Sequence, residues 1–365
     1  MINVTMFKIV SVNGGDMNPK EKKSFTIQDI AKLTGFSIGT VDRALHHREG
    51  IKPETREKIL EVAEQVGYRT NRVASALSRK KPLVFAAVFP RELHYFYDDV
   101  RRGFQDAIER LKDFRVAPLY KDIETLGSGE EEALSSLLSQ EISGVVFAPG
   151  HSHRFNHLIN NFTQRGIPVV AVSTDAPESK RLTTVCVNPR KNGELAGELM
   201  ANWVKGEVAI LIGSQEIDDH YQKTIGFQEA LAQFQPSPQL VAILESQESE
   251  NRAEENTRKL LKNHPELSGI YIATANSVGV CRALEESGRA QEIKVIATDL
   301  FPEVVHYLKK GVINATIFQN PYRQGFEATM SLFQFLVEGI APPAYLYLEP
   351  VIVMRSNLEF YFPAH

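Results

Sequence analysis

Residues 25–45 read Phe25-Thr-Ile-Gln-Asp-Ile-Ala-Lys-Leu-Thr-Gly-Phe-Ser-Ile-Gly-Thr-Val-Asp-Arg-Ala-Leu45. Thr26 and Asp29 have the spacing of a capping box, with Asp in the usual Glu or Gln place. Ile27, Ile30 and Ala31 then fall at i, i+3 and i+4 on one helix face. Gly35 stops that helix, and Ser37 is placed to cap a second one running to about Leu45, with Val41 and Ala44 turned inward. Pro53 suits the first turn of a third helix, whose stripe is Ile59, Val62, Ala63 and Val66 and whose stop is Gly67. Small Ala31 permits close crossing, and two short helices across a tight turn match a helix-turn-helix, in which the second helix enters the major groove of DNA. A plain three-helix bundle shares this periodicity, so the helices alone do not decide between the two.

Working outward, the chain has 365 residues, 43% hydrophobic and 24% charged. At the usual ~150 residues per domain that implies two or three domains. The apolar content excludes wholesale disorder and a disulfide-scaffolded miniprotein. No apolar run approaches the ~20 residues that span a bilayer, and the first residues lack the pattern of a secretory signal. The 2 cysteines, Cys186 and Cys281, lie among aliphatic residues and read as buried thiols of a reducing cytosol. The net charge of -4 is unevenly spread: residues 1–81 hold 15 Lys and Arg against 9 Asp and Glu, a net +6, which leaves -10 for residues 82–365. A basic head on an acidic body points to a nucleic-acid module joined to something else.

Two further stretches accompany the opening one: Lys52-Pro-Glu-Thr-Arg-Glu-Lys-Ile59, and Gly67-Tyr68-Arg-Thr-Asn71-Arg72-Val-Ala74-Ser-Ala-Leu77. Together, in this order, they closely resemble the lactose/galactose repressor family. The resemblance implies that Ile38 and Gly39 start the recognition helix, that Arg43 contacts bases and that Ser37 and Thr40 contact phosphates. It also implies that Asn71, Arg72, Ala74 and Leu77 belong to a hinge helix, with Leu77 as a wedge into the minor groove. Two departures put the operator sequence in doubt: Gly39 replaces a base-reading side chain, and Asp42 stands where the family has a small polar residue. His46 and His47 read as a solvated loop. The expected organisation is a tail over 1–23, the DNA-binding domain over 24–69, a hinge over 70–81 and an effector domain over 82–365.

From Leu83 onward, nine short apolar runs alternate with amphipathic stretches: Val84–Phe89, Val116–Tyr120, Gly144–Pro149, Pro168–Val172, Val208–Gly213, Val241–Leu244, Gly269–Ala273, Ile293–Thr298 and Ala315–Gln319. Continuous apolar strands between helices mean parallel sheet covered on both faces, an α/β class. Nine such strands are too many for one small doubly wound unit and fit two lobes around a cleft. Ligands of open α/β sheets bind beyond the carboxyl ends of the strands, and polar residues gather there. An Asp in that position is also a common helix cap.

The ordered series resembles the periplasmic sugar-binding-protein fold over about 83–340, closest to ribose-binding members. The resemblance implies a sugar sandwiched by Phe96 and Tyr97, with Asp175, Asn276, Asp299 and Gln319 on its hydroxyls. It also places His94, in the position of an amide, and Lys223, in the position of an arginine, at the site; Ala176 occupies a further arginine position. Lobe 1 is expected over about 82–186 plus 319–342, and lobe 2 over 187–318 plus 343–365. A phosphorylated ligand fits poorly, because Glu216, Asp218 and Asp219 crowd one loop.

Asp218-Asp219-His220 itself reads as a solvated loop, and His151-Ser-His153 with His157 as a polar loop whose better functional role is cleft lining rather than a metal site. No phosphate-cradling glycine motif or nucleophile elbow is present. These readings converge on a cytoplasmic regulator binding double-stranded operator DNA as a homodimer, with a small polyhydroxylated effector and without cofactor, metal, catalysis or membrane contact. The rivals are a sugar receptor of a transport system and an α/β enzyme with an accessory DNA-binding domain.

Overall fold

The structure is a computed structural model that describes residues 25–45, 49–66 and 81–362. The expected tail, His46, His47 and the expected hinge residues Asn71, Arg72, Ala74 and Leu77 lie outside the described residues. The chain divides into two compact units, Met1–Ala74 and Ser75–His365.

The first unit contains α1 (Ile27–Thr34), α2 (Ile38–Leu45) and α3 (Pro53–Gln65). The capping box forms: the Thr26 N–H donates to the Asp29 carboxylate at 2.9 Å, and the Asp29 N–H donates to the Thr26 hydroxyl at 3.3 Å. Gly35 ends α1 at φ 73, a left-handed conformation that glycine adopts without a Cβ clash. The Thr40 N–H donates to the Ser37 hydroxyl at 3.2 Å, capping α2. Ile30, Ala31, Val41, Ala44, Ile59 and Ala63 form the core, while Val62 and Val66 are only half-buried.

The second unit is two lobes, each a six-stranded sheet. In the first, β1 (Leu83–Pro90), α4 (His94–Arg110), β2 (Val116–Ile123), α5 (Glu130–Leu137), β3 (Gly144–Phe147), α6 (Asn156–Gln164), β4 (Val169–Val172) and β5 (Thr183–Val187) follow in order. The second contains α7 (Pro189–Trp203), β6 (Glu207–Ile212), α8 (Asp218–Ala232), β7 (Gln239–Glu245), α9 (Glu250–Asn263), β8 (Leu267–Ile272), α10 (Ser277–Glu286), β9 (Lys294–Thr298), α11 (Pro302–Lys310) and β10 (Ala315–Phe318). The chain then returns with α12 (Pro321–Phe333) to the first lobe, adds β11 (Tyr345–Leu348) there, and ends the second sheet with β12 (Val351–Val353). The strand orders are β11-β5-β4-β3-β1-β2 and β12-β10-β9-β8-β6-β7. Every pairing is parallel except β10 with β12. Apolar clusters cover both faces of each sheet, as buried parallel strands require.

The nine expected strands are present, and β5, β11 and β12 add to them. The lobe boundary needs correction as well: β11 pairs with β5 in the first sheet, register Tyr345↔Thr184 to Leu348↔Val187, so residues 343–348 are not part of lobe 2. The reason is that Tyr345-Leu-Tyr-Leu348 is a short edge strand with one exposed face, so it lacks the continuous apolar run by which the central strands were read.

Candidate functional site

In the first unit, Ile38, Gly39 and Arg43 are exposed on the face of α2 opposite buried Val41 and Ala44. Ile38 is 53% exposed, so it does not serve the core. A Cβ added to Gly39 would meet nothing nearer than the Ser37 hydroxyl at 3.9 Å, which leaves open space where a side chain would project. Ser37 and Thr40 pair through their hydroxyls at 2.9 Å at the start of the same helix.

In the second unit a cavity opens where the two sheets present their carboxyl edges. It encloses about 460 Å³ of space, open solvent at its mouth included. Leu93, Phe96 and Tyr97 reach it from the β1 side, Ser173 and Thr174 from β4, Glu248 from β7, Thr274 from β8, Asp299 from β9 and Gln319 from β10. Asp219, His220 and Lys223 come from the first two turns of α8. Leu93, Ser173, Glu248 and Asp299 hold left-handed φ of 53, 69, 54 and 67. Such conformations cost energy in residues other than glycine and concentrate at binding and switch sites.

The polar groups of the cavity are interlocked. Asp299 accepts from the Gln319 side-chain amide at 2.9 Å and its backbone N–H at 3.3 Å. Desolvation pushes its carboxyl up to about 7, opposed by Lys223 and the Gln319 hydrogen bonds. Lys223, 1% exposed, places its ammonium 2.6 Å from Asp219. Glu248 Oε2 accepts from the Thr274 hydroxyl at 2.7 Å and the Asn276 amide at 2.8 Å. Lys223 is positioned by a backbone-to-backbone contact between α7 and α8: a Cβ on Gly193 would stand 2.0 Å from the Lys223 carbonyl oxygen, and one on Gly226 would stand 2.0 Å from that of Arg190.

Of the eight residues expected from the sequence, Phe96, Tyr97, Lys223, Asp299 and Gln319 line this cavity. The other three do not. His94 is exposed at the start of α4 and borders a separate groove with Asp98 and Phe301, because the left-handed turn at Leu93 sets it outward. Asp175 is buried and engaged by Arg181, whose Nη2 donates to it at 2.6 Å and whose Nε also contacts it, with Thr184 donating too. Asp175 lines a neighbouring compartment with Tyr345 and Tyr347, and the Arg181 guanidinium lies over the Tyr345 ring. Asn276, 1% exposed, donates to Ser246 and Glu248 and so holds a wall residue instead of lining the cavity.

Asp218-Asp219-His220 is not a solvated loop. It opens α8, with Asp219 and His220 only 9% and 7% exposed, because the helix turns its first turn into the cleft. Asp218 instead borders the neighbouring compartment. Glu248, also missed, follows a recognised apolar run by four positions, whereas Asp299 follows one directly. His151 does not line the cavity; its Nδ1 lies 3.1 Å from the exposed Glu216 carboxylate. Among the described residues, no group of three or more His, Cys, Asp or Glu is arranged to hold a metal. Cys186 and Cys281 are free and buried, which pushes both thiols up. No helix among the described residues is long and apolar enough to cross a membrane.

The lobes touch around the cavity. The Tyr95 hydroxyl donates to the Ala275 carbonyl at 3.1 Å, and its ring stacks on Phe301 at 4.0 Å and 14°. Elsewhere the Ser152 hydroxyl donates to the Glu216 carbonyl at 3.2 Å, beside the His151–Glu216 pair.

Comparison with known proteins gives two family matches. Residues 26–71 match the bacterial regulatory proteins of the lacI family, and residues 85–339 match the periplasmic binding protein domain. The chain is 25% identical over 270 residues to catabolite control protein A of Staphylococcus epidermidis, spanning 72% of this chain and 78% of that protein. It is 26% identical over 272 residues to the HTH-type transcriptional regulator DegA of Bacillus subtilis, spanning 74% and 78%. Among solved structures, GanP, a glucose-galactose binding protein of Geobacillus stearothermophilus, is 29% identical with a TM-score of 0.71, over 76% of this chain and 99% of that one. A solute-binding protein of Burkholderia graminis in complex with D-arabinose shares the fold at a TM-score of 0.72 and 22% identity, over 77% and 98%.

Proposed function

The chain belongs to the lacI family of bacterial regulatory proteins and carries the periplasmic binding protein domain, and on that premise we propose that it is a repressor whose operator affinity is set by a small polyhydroxylated effector. The observation that carries the reading is the joining, in one chain, of a lacI-type DNA-binding sequence to a cleft walled by aromatic rings and hydrogen-bonding groups. Arg43 forks onto guanine in the major groove, and Ile38, exposed without a core role, meets a thymine methyl. Ser37 and Thr40 contact phosphates, and Gly39 leaves one position of the operator unread. Asn71, Arg72, Ala74 and Leu77 act as the hinge. These assignments follow the proposed division into a tail over 1–23, a DNA-binding domain over 24–69, a hinge over 70–81 and an effector domain from 82 onward.

In the cleft, Phe96 and Tyr97 pack on the face of the effector, and Lys223, Asp299 and Gln319 address its hydroxyls. GanP is a glucose-galactose binding protein, which supports a sugar-like compound. The chain acts in the cytoplasm as a homodimer on a two-fold symmetric operator, and it turns over nothing. Removing residues 1–81 tests the division of labour. Specific operator binding, measured by fluorescence anisotropy, is expected to vanish while effector binding, measured by calorimetry, is kept; retained specific DNA binding would refute the assignment of the head.

A further inference from the structure

The cavity is short of positive charge. Its walls carry the acidic side chains of Asp219 and Glu248 and the carboxyl of Asp299, raised to about 7, against one ammonium, Lys223. Lys223 is committed to Asp219 at 2.6 Å. His220 does not make up the deficit. Its Nδ1 accepts from the Ser214 backbone N–H at 3.3 Å, which engages that nitrogen away from the cavity carboxyls. Its Nε2 stands 3.6 Å from Glu248 Oε1, beyond hydrogen-bonding length.

The consequence falls on Glu248. Its Oε2 is occupied by Thr274 and Asn276, but Oε1 has no hydrogen-bond partner although the side chain is only 7% exposed. The Thr174 hydroxyl, in a wall residue 5% exposed, is likewise without a partner. Burial and the charge of Glu248 together push the neighbouring Glu92 carboxyl up to about 7. A buried carboxylate oxygen without a hydrogen-bond partner is costly until a donor or cation reaches it. The faces of Phe96 and Tyr97, on the same cavity, also attract cations. An anionic ligand, such as a sugar phosphate or a uronate, would enlarge the excess of negative charge.

We propose that the effector is an amine-bearing polyol, an amino sugar or aminocyclitol, whose protonated amine is taken up by Glu248 while a hydroxyl meets Thr174. The inference rests on the reading of this cleft as the effector site. It is tested on the full chain by calorimetry with matched pairs: D-glucosamine and D-glucose, D-galactosamine and D-galactose, D-mannosamine and D-mannose. The N-acetyl and 6-phosphate forms supply the neutral-amide and anionic arms. In the pair that fits, the free amine is expected to bind at least about tenfold more tightly than the neutral hexose, about 1.4 kcal/mol, with the N-acetyl and phosphate forms weaker. Glu248→Gln is expected to erase that preference; the comparison of free and acetylated amine on the unaltered chain gives the same answer without a variant. Equal or tighter binding of the neutral or phosphorylated member overturns the amine and leaves the sugar reading standing. Binding of none of the compounds overturns both.

Discussion

Asp299 lies at the end of β9 with φ 67, is 4% exposed, and has a carboxyl raised to about 7 chiefly by desolvation. A carboxyl raised above its unfolded value of about 4 holds its proton more tightly in the folded state. Its contribution to stability is therefore fully present below about pH 4 and is lost as pH rises through about 7. Unfolding by urea at a series of pH values is expected to show stability falling through that window, and Asp299→Asn is expected to flatten the slope; an unchanged slope would mean the group does not titrate there. Asp299 was legible in the sequence because it directly follows an apolar run, and Gln319 because it closes one. Asp175 lies three positions beyond a run, yet Arg181 takes its carboxylate. Position relative to a strand says where a side chain begins, and carries no information about a competing cation six residues on.

At the level of elements, the crossing of α7 and α8 sets the position of Lys223. Because the carbonyl of Lys223 lies 2.0 Å from where a Gly193 Cβ would stand, even one methyl group forces the two backbones apart. Gly193→Ala is expected to destabilise the protein by about 1–3 kcal/mol, as overpacking of a close contact does, with urea unfolding as the measure. It is also expected to weaken effector binding, since Lys223 and Asp219 ride on the displaced helix. The central strands were readable because burial on both faces makes them continuous in Val, Ile, Leu and Ala. β5 begins with Thr183 and Thr184, β11 alternates Tyr with Leu, and β12 has only three residues, so none of these rises above a loop in periodicity alone. In the head, by contrast, capping and helix period both stood in the sequence, and both are realised.

Over the effector unit as a whole, the lobes are held together by Tyr95 with Ala275 and Phe301, and by Ser152 and His151 with Glu216. A ligand that binds between lobes acts by favouring one arrangement of them over another, and it shifts the balance only by its differential affinity. Tyr95→Ala removes a stacked ring and a hydrogen bond from the arrangement seen here. Small-angle scattering of the unliganded full chain is expected to show a larger radius of gyration for the variant, and its effector affinity is expected to fall. An unchanged radius and affinity would mean that Tyr95 does not hold the lobes.

The order in which the strands are laid down has a temporal side. β5 is synthesised at residues 183–187, yet its outer neighbour β11 comes at 345–348, after every strand of the second sheet but β12. α12, which packs against the first sheet, also comes late. A ribosome that has finished the first five strands has therefore made a sheet with an open edge and one bare flank, and it must complete nearly the whole second lobe before either gap is filled. Neither lobe is a translation product that can reach its final form alone, and a nascent chain stalled before residue 345 leaves both sheets without an edge strand at once.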